Sequence, residues 1–197
     1  MKKGIKTKIL ETAIKLFGEQ GYNQVSMRDI AGELGISVGN LTYHYKRKED
    51  LVEAAVLGTR KDYQKRAPMD TLCELNDYFI RMFERHKKNA YYFRHYTQLA
   101  QVCPAVYQSQ VSVIRDIYDT LEQTVHRFVE SGLMQPDVPK GRYGKMIKAL
   151  IAVCVHGIPP MEGVEPMDAQ ARLGCIWAVL YPTLTKEGKN AFEEIEV

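Results

Sequence analysis

An all-α fold is what this 197-residue sequence predicts, and three observations carry the prediction. Apolar residues recur at steps of three and four. Nowhere do they alternate with period two over enough residues to argue a sheet, and the breaks between apolar stretches hold Gly and Pro. A chain of this length buries about 70% of its unfolded surface. Its 45% hydrophobic and 26% charged residues are a globular balance, so stability asks for neither a metal nor a disulfide staple.

The elements follow in order. Ile5, Ile9, Ala13 and Phe17 stand every four residues, Leu10, Ile14 and Leu16 widen the apolar stripe, and Gly21 supplies a stop. Ser26 holds an N-cap position ahead of Met27, Ile30, Ala31 and Leu34, which share one helical face. Gly35 breaks that helix, and Ser37 caps a short one with Leu41 and Tyr45 on its inner side. A longer helix runs from Arg47 through Leu51, Ala55 and Val56 toward Arg66, and Pro68 marks a boundary. Beyond it, helices are expected near residues 71–86, 90–101, 105–131, 140–157 and 167–186. Pro182 should kink the last of these or end its regular part, because proline removes an amide donor and clashes with the preceding turn.

Charge is unevenly placed. Residues 1–66 hold 13 Lys/Arg against 8 Asp/Glu, whereas residues 67–197 hold 14 against 16. A basic N-terminal third points to a polyanionic partner. No apolar run approaches the ~18–20 residues of a membrane span. The basic start carries Lys8, Glu11, Lys15 and Glu19 at helical intervals and has no apolar signal core. A cytoplasmic protein without a membrane partner is therefore expected. Cys73, Cys103, Cys154 and Cys175 are widely spaced in apolar surroundings and are expected to be small buried hydrophobes.

Two helices separated by "LGIS" have the proportions of a helix-turn-helix, whose second helix offers its outer face to a major groove. The outward set would be Ser37, Val38, Asn40, Thr42, Tyr43 and His44, with Gly39 letting the backbone approach. Asn pairs bidentately with adenine, Val and Thr methyls pack on thymine methyl, and Ser, Tyr and His donate to phosphate. The same spacing also suits an ordinary amphipathic hairpin with a solvated basic edge at Lys46, Arg47 and Lys48. Catalysis fits poorly, since adjacent Tyr43 and His44 diverge by ~100° on a helix.

Residues 13–51 read "AIKLFGEQGYNQVSMRDIAGELGISVGNLTYHYKRKEDL". That passage, and residues 4 to about 60 around it, resembles the N-terminal domain of the TetR family of bacterial transcriptional regulators. The resemblance implies a three-helix DNA-binding head, a fourth helix linking it to a larger helical body, and pairing of bodies into a homodimer. It divides the chain into a helix-turn-helix domain at 1–48 and an effector-binding and dimerisation domain at 49–197. By position, Ser26 is similar to a capping hydroxyl that meets phosphate. Arg28 is similar to a second-helix residue that reaches a base or the backbone. Ser37, Val38, Gly39, Asn40, Thr42, Tyr43 and His44 fall on recognition-helix positions, and Lys48 on the phosphate-binding lysine that opens the fourth helix. Thr42 stands where Tyr is commoner, and Val38 where polar or basic residues are frequent. With neither Arg nor Gln in this helix, direct contacts should lean toward A·T pairs, leaving guanine to Arg28.

The body is less patterned. "NAYYFRHYTQLAQVCPAVY" gathers hydroxyl-bearing aromatics, and each buried Tyr hydroxyl needs a partner. Such residues are ordinarily core, but they also build small-molecule pockets between bundle helices. The family's inducer cavity makes Tyr78, Met82, Tyr92, Tyr96, Leu99, Cys103, Tyr107, Ile114 and Tyr118 the candidate lining for a hydrophobic or aromatic effector. "ALIAVCVHGI" and "LGCIWAVLYPTL" contain no Asp, Glu, Lys or Arg. Helices apolar on several faces suit either a monomer core or a two-fold four-helix interface. Leu150, Val153, Ile176, Trp177 and Leu180 are the expected interface anchors. His86, His95, His126 and His156 lie in no metal-ligand spacing, and no phosphate loop, dinucleotide fingerprint or serine elbow occurs. No metal or cofactor is expected. The reading is a non-enzymatic, ligand-responsive dimeric DNA-binding regulator, a repressor rather than an activator, on a near-palindromic operator. An all-helical enzyme and a ligand-insensitive partner-binding module are its rivals.

Overall fold

The computed structural model describes residues 4–60, 63–89, 95–155 and 167–195. Among them the regular structure is helical: α1 (Ile5–Gln20), α2 (Met27–Glu33), α3 (Val38–His44), α4 (Lys48–Arg60), α5 (Leu72–Lys88), α6 (Tyr96–Val102), α7 (Pro104–Glu130), α8 (Arg142–Val155), α9 (Ala169–Leu180) and α10 (Lys186–Phe192). Short 3-10 turns occupy Tyr22–Gln24 and Tyr181–Thr183. No strand forms among the described residues; one isolated antiparallel bridge joins Met134 and Leu184. No helix there is long and apolar enough to cross a membrane.

The chain separates into two compact units, residues 1–64 with 89–112 and residues 65–88 with 113–197. The first unit is organised around Ile9, Ala13, Phe17, Ile30, Leu41, Leu51, Val52 and Val56. Leu99, Cys103 and Val106 belong to the same core cluster. Helix α4 and residues 95–112 therefore pack with the head, although the family resemblance put the functional division at 48/49. The reason is visible in α4 itself: Leu51 and Val52 are fully buried against α1.

In the second unit α9 packs on α5 and α8. The indole N–H of Trp177 donates to the buried amide oxygen of Asn76 at 2.8 Å, so both polar groups are satisfied inside an apolar contact. Thr120 donates to the carbonyl of Arg66 at 2.9 Å, and Thr124 accepts from the Met69 amide at 3.1 Å, which ties the segment before α5 onto α7. Pro182 coincides with the end of α9: the helix gives way to the 3-10 turn at Tyr181–Thr183.

Helix α10 is an addition to the sequence expectation. Its residues, "KEGKNAF", are mostly polar with a central glycine, a weak helix former. Thr185 caps it by accepting from the Gly188 amide at 3.1 Å. Phe192 packs on Trp177 and Tyr181 at ring separations of 4.8 and 5.2 Å. A Cβ on Gly188 would lie 2.0 Å from the Leu133 carbonyl oxygen, so only glycine permits this approach.

Three expectations are corrected by burial. Cys103 and Cys154 are buried as expected, but Cys73 is exposed on α5 and Cys175 is half-buried. Burial pushes the Cys154 thiol up to about 12. Leu150, Ile176, Trp177 and Leu180 are buried within the unit, where α9 packs on α8 and α5 and Trp177 also meets Phe192 of α10, and Val153 is half-buried. Side chains already enclosed in their own unit cannot anchor a partner. α8 and α9 leave the small apolar Ala149, Ala152, Ala178 and Val179 exposed, together with Lys145, Lys148 and the first turn of α9 at Ala169, Gln170 and Ala171.

Candidate nucleic-acid interface

The head is assembled from two well-capped short helices. Ser26 accepts from the Asp29 amide at 3.2 Å, while the Asp29 carboxylate accepts from both the Ser26 amide and hydroxyl at 2.7 Å. This reciprocal pairing is a capping box. The Ser26 hydroxyl and then its amide hold the Asp29 carboxyl below the usual carboxylate range. The turn to α3 uses Gly35 at φ 63°, a left-handed conformation that favours glycine. Ile36 then donates its amide to the Ala31 carbonyl at 3.0 Å. Ser37 caps α3 by accepting from the Asn40 amide at 3.1 Å.

Helix α3 has two distinct faces. Leu41 is completely buried and Tyr45, just past the helix, nearly so. Ser37, Val38, Gly39, Asn40 and Tyr43 are exposed, Tyr43 at 85%. Thr42 is half-buried and donates its hydroxyl to the Gly39 carbonyl at 3.2 Å. His44 is half-buried and sits edge-on to the Tyr43 ring, centroids 5.1 Å apart. The exposed side chains are thus one hydroxyl, one branched aliphatic, one amide and one phenol, with the imidazole of His44 half-buried beside them. Cations border this face: Arg28 on α2, then Lys46 and Arg47 just after α3, all exposed. Arg47 makes only a surface pair with Asp50 at 3.2 Å and keeps its side chain 72% exposed.

An uncharged outer face bordered by exposed cations has the chemistry of a surface for duplex DNA. Base edges meet the former and phosphates the latter. Comparison with known proteins agrees. The model of "Bacterial regulatory proteins, tetR family" matches residues 9–55, the span from α1 into α4. The transcriptional regulator AcrR of Shigella flexneri is 26% identical over 157 residues, 73% of this chain and 73% of that one. A TetR-family regulator from Marinobacter aquaeolei VT8 has the same fold over 98% of this chain and 97% of its own, with a TM-score of 0.80 and 20% identity. Residues 9–55 are a TetR-family head.

Further curated regulators match over the head alone, 65 residues or fewer and between 24% and 31% of their own length. Among solved TetR-like folds, a transcriptional regulator from Saccharomonospora viridis was captured in complex with choline. It has a TM-score of 0.63 and 17% identity over 92% of this chain and 98% of its own. As a TetR-type protein this chain is a DNA-binding transcriptional regulator, and its named relatives are regulators rather than enzymes.

Placed on the TetR head, the expected contact residues fall into three groups. Arg28 on α2, Ser37 at the cap and Val38, Gly39, Asn40 and Tyr43 on α3 are exposed, with Thr42 and His44 half-buried. Ser26 is also exposed, but its hydroxyl is engaged in the cap. Lys48 stands apart: its ammonium turns inward and donates to the carbonyls of Tyr22 and Val25, the latter at 2.7 Å.

Sequence pattern gave no notice of Tyr22. Its ring is buried, its hydroxyl donates to Glu49 at 3.0 Å, and burial followed by that carboxylate pushes the phenol well above its ordinary value. Partners separated by 27 positions leave no local signature.

The expected effector residues are scattered by burial. Leu99 and Cys103 lie in the first unit's core, Tyr96 is half-buried and Tyr107 is 52% exposed. In the second unit Met82 is buried, while Tyr78, Ile114 and Tyr118 are half-buried. The Tyr118 hydroxyl donates to Glu122 at 3.2 Å. Tyr92 lies outside the described residues, as does His156.

Proposed function

We propose that this TetR-type regulator is a cytoplasmic homodimer that represses from a near-palindromic operator and is released by a hydrophobic or aromatic small molecule. In this reading residues 1–48 contact DNA and residues 49–197 serve effector binding and dimerisation. The observation that carries it is the outer face of α3. Exposed Val38, Asn40 and Tyr43 project from a helix pinned by Leu41, with Arg28, Lys46 and Arg47 around them. Asn40 and Val38 read bases, Tyr43, His44 and Ser37 meet phosphate, and Arg28 supplies any guanine contact.

Dimerisation uses the surface that α8 and α9 leave uncovered, where Ala149, Ala152, Ala178 and Val179 are exposed. Small side chains there permit close helix approach, and two heads fixed by such an interface would meet grooves ~34–36 Å apart. The effector reading rests on the half-buried Tyr78, Ile114 and Tyr118 of the second unit, where the two phenols can orient an otherwise apolar ligand. The choline complex of a TetR-like neighbour supports small-molecule binding on this fold, although choline is a cation.

The test is selection of duplexes from a random pool by the purified protein, followed by mobility shift with and without lipophilic compounds. The expected result is a two-half-site consensus leaning toward A·T. Asn40→Ala should change the selected sequence at one position per half-site. An unaltered consensus for Asn40→Ala, or only G·C-rich half-sites, would sink the base-reading assignment. A shift that no compound releases, together with Tyr118→Ala behaving as wild type, would favour a ligand-insensitive regulator.

A further inference from the structure

Lys48 opens α4, and the resemblance of the sequence assigns it to phosphate. The geometry assigns it elsewhere. We propose that Lys48 is a positioning residue that clamps α4 to the turn between α1 and α2 and thereby sets the recognition helix, while the exposed Lys46 takes the phosphate role.

Two of the three ammonium N–H groups are directed at the carbonyls of Tyr22 and Val25. The charge lies 3.9 Å from the Tyr22 ring centroid and 5.9 Å from that of Phe17. Burial lowers the lysine from its ordinary value, as expected of an ammonium turned away from water. Glu49, the next residue, accepts from the Tyr22 hydroxyl. The first two residues of α4 therefore grip Tyr22 at its backbone and at its phenol. Tyr22 and Val25 bracket the 3-10 turn that enters the Ser26 cap of α2, and α2 packs on α3. Holding the Val25 carbonyl fixes where α2 begins and hence where the face of α3 points. Lys46, two residues earlier, is exposed and carries no such contacts.

The proposal rests on the chain binding DNA, so the test includes arms with and without DNA. Affinity for a selected duplex and for a scrambled duplex is measured against salt for wild type, Lys48→Met, Lys48→Gln and Lys46→Ala. A phosphate-binding lysine, when removed, weakens all sequences alike and lowers the slope of log K against log salt by about 1. That is expected of Lys46→Ala. Lys48→Met should instead lose about tenfold on the selected duplex, keep its affinity for the scrambled one, and keep the wild-type slope. Lys48→Gln retains two N–H donors without charge and should recover part of the lost discrimination; it carries the same comparison if the Met variant does not fold. Uniform weakening by either Lys48 variant with a slope reduced by about 1, or no change in discrimination, overturns the proposal. Without DNA, Lys48→Met should lower the thermal midpoint by several degrees, and an unchanged midpoint also overturns it. Wild-type protein that binds neither duplex sinks the DNA reading, while the midpoint still judges the clamp.

Discussion

Helices α3 and α10 are a matched pair. Each has seven residues, and each is capped by a hydroxyl that accepts from the amide three residues on, Ser37 from Asn40 and Thr185 from Gly188. Yet α3 is apparent in the sequence and α10 is not. The support of α3 is largely local: Gly35, Ser37 and Leu41 lie within seven positions and state turn, cap and core in order. The support of α10 is remote. Gly188 rests against the Leu133 carbonyl, and Thr185 donates to that of Gly132 at 2.6 Å, both more than fifty positions away. Short helices are marginal alone, so whether one can be read depends on whether its partners are near in sequence.

The sharpest way to break this contrast is to remove the core contact of α3. Leu41→Ala should cost about 2–5 kcal/mol, because the side chain is fully buried and the cavity cannot collapse against two short helices. Denaturant midpoints measure it, and duplex binding should be lost in parallel. A loss below ~1 kcal/mol would mean that the caps and turn alone sustain α3, and the local account would need no core anchor.

How far the sequence could be read follows the same division. Gly21, Ser26, Gly35 and Ser37 have the backbone roles expected of them, and Leu41 and Tyr45 turn inward as the 3.6-residue period requires. Of the outward set expected around α3, Ser37, Val38, Asn40 and Tyr43 are exposed, since a helix with one buried side must show the other, while Thr42 and His44 are half-buried. Periodicity cannot say what covers an apolar helix. Leu150, Ile176, Trp177 and Leu180 read as interface anchors, but all four are already buried within their own unit, and Asn76, which fixes Trp177, lies 101 positions away. Family position was equally blind to Lys48, because the carbonyls that turn its ammonium inward belong to a turn 23 and 26 residues earlier. Cys73 shows a further limit: apolar neighbours in sequence do not bury a residue that faces outward on α5.

The second unit also carries a titration that separates it from the head. His86 is held at about 4, first by burial and then by the nearby charges of Arg172 and Arg85, against an ordinary value of 6.5. Between those values the unfolded chain binds the proton and the folded chain does not, so stability falls as pH drops from 6.5 toward 4. The total loss is about 3 kcal/mol. Urea midpoints at pH 7, 5.5 and 4.5 should show this limb, and His86→Gln should remove it. An identical acid limb in the variant would place the sensitivity in other groups.

The smallest expected effect sharpens the comparison most. Ser37→Ala and Thr185→Ala each delete a cap hydroxyl, and each should cost about 1 kcal/mol. Equal costs would show that the two caps are energetically alike despite their different legibility. Their functional consequences should diverge, because Ser37 lies on the exposed face beside Asn40 whereas Thr185 holds α10 onto the segment after α7. Ser37→Ala should weaken duplex binding several-fold under conditions where the protein is fully folded, and Thr185→Ala should leave it unchanged. If Thr185→Ala weakened binding as much as Ser37→Ala at matched stability, the second unit would be governing the head. Cap loss in α10 would then be a regulatory lesion rather than a local one.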